Sequence, residues 1–208
     1  MMRAMLVGAL MLCSPIAQAE IVGKVSGCAP SQAACNEVLR LALRPEPEVA
    51  QTESALFVGI FPLVNGQPAV GAGGYFNGKA WVLSQEPLPA FVGRIPTGPA
   101  TVQIAGGVCG LVQKNKGPAG AYVLMAGYGR TNMGMAQSSG MDLDDLEREA
   151  QTADAETAAQ LRALARDYKA AQQRLQVPGG KAAMAFTDMR SARRYWLMSN
   201  YTCGVQGQ

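Results

Sequence analysis

The chain contains no histidine. That absence excludes a Ser-His-Asp triad, a Cys-His pair, an H-E-x-x-H zinc protease and nearly every catalytic zinc site, so acid-base chemistry would fall to carboxylates, lysine or tyrosine. Charge is sparse as well. Across residues 54–129 the only acid is Glu86, against the bases Lys79, Arg94, Lys114 and Lys116. The formal net charge is +3, which gives no electrostatic case for nucleic acid or anionic lipid. There is no C-x-x-C, so a thiol oxidoreductase is not expected. Nor does any apolar run reach the ~20 residues that a membrane-spanning helix needs.

What is present begins at the N-terminus, MMRAMLVGALMLCSPIAQAE. Arg3, an apolar run from Ala4 to Cys13, Pro15 and then Ala17-Gln18-Ala19 have the order of a secretory signal peptide. Cleavage after Ala19 is expected, with Glu20 first in the mature chain. Lipid attachment at Cys13 is the competing reading, disfavoured because Leu12 is bulky where a small residue is usual. Removing residues 1–19 takes away Arg3 and leaves 17 basic against 15 acidic residues, a charge of about +2. It also leaves four cysteines, Cys28, Cys35, Cys109 and Cys203. In an exported protein an even set reads as disulfides, with three possible connectivities. Proximity favours Cys28 with Cys35 and therefore Cys109 with Cys203. A periplasmic or secreted location follows.

Ala34, Val38, Leu41 and Ala42 recur at helical spacing, and Ser31 can cap, so a short helix is predicted over Ser31–Leu43. Pro45 and Pro47 stop it, and "EPEVAQTES" reads as a linker; residues 20–53 thus form an N-terminal helix and linker. From residue 54 the pattern changes. The runs "ALFVGIFPLV", "AVGAGGYF", "AWVLS", "TVQIAG", "GLVQ" and "AYVLMAGYG" are separated by "NGQ", "NGK", "PTGP" and "KNKGP". Short apolar runs between turn signals predict an antiparallel sandwich or barrel, the β-sandwich being preferred and spanning 54–208. Within it Gly73, Gly78 and Lys79 match G-x-x-x-x-G-K, one residue short of a phosphate-binding loop. Ala80 stands where Ser or Thr should reach a metal ion, and a strand-like Trp81-Val82-Leu83 follows instead of a helix. Asn77-Gly78 is instead read as a two-residue hairpin turn.

The succession "GKAWVLSQEPLPAFVGRIP", "TVQIAGG", "AYVLMAGYGR" and "TDMRSARRYWLMS" resembles small β-sandwich modules of exported proteobacterial proteins. The resemblance spans roughly Leu56 to Arg130 and Thr187 to Ser199. It implies fold and export, and transfers no activity and no catalytic residue. About 50 additional residues separate the G-Y-G strand from the closing "RRYWLM".

That insertion, 142–176, is predicted to be helical. Leu143, Leu146, Ala150, Ala153, Thr157, Leu161, Leu164, Tyr168, Ala171 and Leu175 step by three and four, a heptad-like seam. One long helix fits, and so do two if Asp154 caps a second start. Seven acids lie from Asp142 to Glu156, and four of five bases from Arg162 to Arg174. That order complements the dipole of a single helix and would also suit an antiparallel copy of the same arm. Leu143, Leu146, Leu161, Leu164, Tyr168 and Leu175 are the candidate partner-binding positions.

Other candidates are weaker. Trp81, Tyr75 and Tyr128 could form a stacking platform for a sugar or peptide, although alternation places Tyr75 and Phe76 on opposite faces. Arg190, Arg193 and Arg194 beside Tyr195 and Trp196 suggest an anion or partner contact, or simply a solvated strand end. Asp142, Asp144, Asp145, Glu147 and Glu149 follow one another at a helix start rather than facing across a cleft as a glycosidase requires. They also lack the glycine and terminal glutamate of a calcium loop. Ser138 and Ser139 have no visible base. No catalytic residue, metal or cofactor is assigned. The expectation is a non-enzymatic binding or assembly subunit of the bacterial envelope, with a lectin-like module or a carboxylate-based hydrolase as the alternative.

Overall fold

A computed structural model describes residues 20–27, 35–131 and 143–204. The expected signal segment 1–19, Cys28, the expected cap Ser31, Ser138, Ser139 and Asp142 lie outside the described residues. The chain is mainly β, with two antiparallel sheets. The smaller has the order β1 (Glu20–Ser26), β2 (Glu37–Arg44), β8 (Gly98–Ile104). The larger runs β10 (Tyr195–Cys203), β9 (Gly120–Arg130), β3 (Ser54–Val64), β5 (Gly74–Phe76), β6 (Trp81–Leu83). β4 (Gln67–Pro68) and β7 (Phe91–Gly93) also pair with β3. The helices among the described residues are α1 (Pro47–Ala50), α2 (Gly107–Lys114), α3 (Leu143–Thr152), α4 (Ala155–Gln176) and α5 (Gly180–Ser191).

β3 explains how the sheets are filled. Eight consecutive residues from Ser54 to Phe61 are buried, so both of its faces are covered. Leu56 and Val58 join Ala126 and Tyr128 of β9 in a cluster with Leu39, Leu41, Leu43 and Val102 of the smaller sheet. The alternate residues Ala55, Phe57 and Phe61 cluster with Val123 and Met125 of β9 and with Ala185 and Met189 of α5. Helix α5 can lie this close because β9 carries glycine there: a Cβ on Gly129 would stand 1.8 Å from the Ala185 carbonyl oxygen.

The helix expected over Ser31–Leu43 is corrected to a strand where the chain is described. In β2, Glu37, Leu39, Leu41 and Leu43 are buried while Arg40, Ala42 and Arg44 are exposed. Period two prevails because it places all three leucines on the face that meets the larger sheet, whereas a helix would divide them. Residues 20–53 therefore supply two strands of the smaller sheet, and the expected linker contains the single turn α1, whose Val49 is fully buried. "GLVQ", expected as a strand, belongs to α2.

The hairpin at residues 74–83 forms with its turn one residue further on than expected. Phe76 pairs with Trp81, the Asn77 N–H donates to the Ala80 carbonyl at 3.0 Å, and Gly78 and Lys79 are the central residues. Gly78 adopts φ +89°, and the Asn77 carboxamide oxygen accepts from the Lys79 and Ala80 N–H groups at 3.0 and 2.9 Å. Asn77 thus acts as a side-chain brace for the turn rather than as a residue in the left-handed region.

The insertion is two helices, not one. Asp154 caps α4, its carboxylate accepting from the Thr157 and Glu156 N–H groups at 3.0 and 3.1 Å. These bonds, the one from Thr157 foremost, hold its pKa below the ordinary carboxylate value. α3 packs against α4 and buries Leu146 and Ala150. Lys169 Nζ reaches Glu147 Oε1 at 2.5 Å, and Arg148 pairs with Asp145 one turn away. The acid-first, base-second order is therefore met within the chain, where α3 turns back on α4, instead of along one helix dipole.

Candidate functional site

β10 begins at a sharp exit from α5. Arg193 takes φ +55°, its N–H donates to the Arg190 carbonyl at 3.2 Å, and the Arg194 N–H donates to the Met189 carbonyl at 2.9 Å. This is a helix C-terminal motif in which a left-handed residue reverses the chain, here without the usual glycine. Alternation along the strand that follows turns Trp196 toward the smaller sheet, where it stacks on Tyr128 with ring centroids 5.7 Å apart. Tyr195 and Leu197 face the other way and stay 40% and 55% exposed.

An ion network fixes this junction. Asp188 of α5 accepts from the Arg130 backbone N–H at 2.8 Å, from Arg130 Nη2 at 3.1 Å and from Arg194 Nη1 at 2.8 Å. Arg194 Nε also donates to Glu46 Oε2 at 2.7 Å, while the Glu46 N–H donates to the Tyr128 hydroxyl at 3.3 Å. The hydrogen bond to Asp188 raises the Arg130 pKa further, and burial is the main reason the Tyr128 pKa is raised. Four distant segments are thereby held together: the turn before α1, the end of β9, the last turn of α5 and the start of β10.

Beside this junction, on the helix side of the larger sheet, lies a groove of about 360 Å³. Met125, Phe186 and Met189 come from β9 and α5; Met125 and Met189 are almost completely buried. Tyr195 and Leu197 of β10 form one wall, and Gln67, Pro68 and Val70 the other. The Tyr75 hydroxyl donates to the Val70 carbonyl at 3.3 Å and so ties that second wall to the sheet. Among the described residues, Arg190 is the only charged one lining the groove. Among the described residues it enters no ion pair and no side-chain hydrogen bond, while its charge partly offsets the burial that pushes the Tyr75 pKa up to about 12.

The residues singled out from the sequence fall elsewhere, Arg190 and Tyr195 excepted. Tyr75 and Tyr128 are fully buried on opposite faces of the larger sheet. Trp81 is half-buried, 5.5 Å from the Phe76 ring, and its indole N–H donates to the Gln103 carbonyl at 3.3 Å, linking β6 to β8. The three rings do not share a surface, because Tyr75 of β5 and Tyr128 of β9 point into the buried clusters on opposite faces of the larger sheet. Arg194 is a buried partner of Asp188 and not a solvated strand end. In the arm Leu146 is buried and Leu143, Leu161 and Leu164 are half-buried; the side chains of Tyr168 and Leu175 lie outside the described residues.

Cys109 and Cys203 form a disulfide, joining α2 to the end of β10. Cys35 is disulfide-bonded too, and its expected partner Cys28 lies outside the described residues. Beneath α2 sits Glu37, 1% exposed, whose Oε2 accepts from the Val108 N–H at 3.1 Å. Burial raises its pKa above the ordinary carboxylate value against the opposing effect of that bond. Burial, and secondarily the nearby Glu37 charge, pushes the Tyr201 phenol up to about 12. Among the described residues there is no cluster of three or more Cys, Asp or Glu placed to hold a metal. No described helix is long and apolar enough to cross a membrane.

Sequence reasoning missed the groove because α5 was not read as a helix. The signal was there: Ala182, Ala185, Phe186 and Met189 recur at helical spacing. Comparison of the chain with protein-family models, with curated proteins and with solved structures finds no match.

Proposed function

We propose that this protein is an exported, non-enzymatic binding or assembly subunit of the bacterial cell envelope, a β-sandwich with a helical layer that engages its partner or ligand through the groove between α5 and β10. The observation that carries this reading is the pairing of an exposed apolar wall, Tyr195 and Leu197, with an unpaired cation, Arg190, over a methionine floor. Apolar surface that a fold leaves in a concavity beside a free charge is typical of recognition sites. The hydrolase alternative has less support, since the two most deeply buried carboxylates are already engaged, Asp188 by two guanidiniums and Glu37 by a helix N–H. The Cys109–Cys203 disulfide is compatible with export.

A second reading keeps the arm as the partner element, favoured by the half-burial of Leu143, Leu161 and Leu164. The two separate in a detergent-free envelope extract by gel filtration. Leu197 and Val177 are equally exposed at 55%, but Val177 does not line the groove. Leu197→Glu should abolish any association seen for the unaltered protein, and Val177→Glu should leave it intact. Loss in neither variant would overturn the groove reading.

A further inference from the structure

Resting on the reading of this groove as the binding surface, we propose that its ligand is a small anionic amphiphile, a free acyl carboxylate whose headgroup pairs with Arg190 and whose chain lies along Phe186, Tyr195 and Leu197, above the buried Met125 and Met189.

Three features carry the assignment. The volume of about 360 Å³ is in the range of small-molecule sites, roughly 300–1,000 Å³. The charge is one-sided: among the described residues Arg190 is the only charged one on the lining, and Arg130 and Arg194, its neighbours in the fold, are both taken up by Asp188. A guanidinium with no internal partner presents a planar set of donors suited to a carboxylate.

The side chains of the lining favour an acyl chain over the obvious competitor. An extended peptide brings one N–H and one C=O per residue, all requiring partners once covered. Beyond Arg190 the lining side chains offer only the Gln67 amide and the Tyr195 hydroxyl, while Met125, Met189, Phe186, Val70, Pro68 and Leu197 offer none or, for the thioethers, only weak acceptors. An acyl chain makes no such demand.

The test is a titration of the protein, labelled with ¹³C at its methionine methyl groups, with decanoate, with decanol and with a short apolar peptide bearing a free C-terminus. Decanoate should move the Met125 and Met189 methyl signals and bind about tenfold more tightly than decanol, a difference of about 1.4 kcal/mol. Arg190→Gln, a change at an exposed position, should remove that advantage and leave decanol binding unchanged. The proposal is overturned if decanoate leaves both methyl signals unmoved, or if it binds Arg190→Gln as tightly as the unaltered protein. It is equally overturned if the peptide binds through the same methyl groups more tightly than decanoate. A partner lost from the envelope extract on Leu197→Glu, together with no decanoate response, would refute the acyl ligand and leave the groove standing as a binding surface.

Discussion

Replacing Asp188 by alanine removes the one carboxylate shared by Arg130 and Arg194. The Asp188 side chain is 6% exposed and accepts three hydrogen bonds, one from a backbone N–H and two from guanidiniums. Deleting one member of a buried ion pair costs roughly 3–5 kcal/mol, because the partner charge stays behind uncompensated. Two facts place the loss toward the lower end. The Arg130 side chain is 33% exposed, so water screens part of its charge, and Arg194 keeps Glu46. A loss of about 3 kcal/mol is expected, equivalent to a fall of roughly 1–3 M in the urea midpoint for a slope of ~1–3 kcal/mol/M. Tryptophan fluorescence can follow the transition, since Trp196 stacks on Tyr128, which itself meets the network at Glu46. Should the alanine variant not fold, Asp188→Asn, which retains an acceptor for the Arg130 N–H, should fold with a loss of roughly 1.5–3 kcal/mol. A loss under about 1 kcal/mol in either variant would refute the view that this network fixes α5 against β10.

Glu37→Gln should lift a pH-dependent penalty. The native carboxyl titrates above its ordinary value, so its contribution to stability is fully present below the unfolded pKa and is lost as pH rises through the folded one. The thermal midpoint of the glutamine variant should therefore gain on the parent as pH is raised from about 4 to about 7; a constant difference would contradict the assignment. Arg193→Gly should stabilise by about 0.5–1 kcal/mol, because φ +55° is strained for arginine and free for glycine, partly offset by the extra freedom of the unfolded chain. Gly129→Ala should destabilise by about 2 kcal/mol or more in urea, since its Cβ would fall 1.8 Å from the Ala185 carbonyl oxygen and displace α5.

How far the chain could be read depended on whether its signal was local. The β3, β5, β6 and β9 runs and the Asp154 cap rest on neighbouring residues, and the structure has them in place. The pairing of Cys109 with Cys203 was chosen by proximity of the other two cysteines, and it stands. β2 went astray because V-L-R-L-A-L satisfies both periods; only the larger sheet, which rewards all the leucines on one face, decides between them. The arm's charge order suits the dipole of one helix and an antiparallel copy of the arm alike; the break at Asp154 removes the single helix and lets Lys169 meet Glu147 within the chain. The Asp188 network was invisible, since its members at 46, 130, 188 and 194 converge only through tertiary packing.

The binding role of the groove is tested most directly by placing a photoreactive side chain at Leu197 in the producing cell, with Val177 as the matched control. The purified protein is then weighed by intact-mass spectrometry after illumination. A discrete mass adduct on the Leu197 form and none on the Val177 form is the expected result. No adduct at Leu197, or the same adduct at both positions, would contradict it.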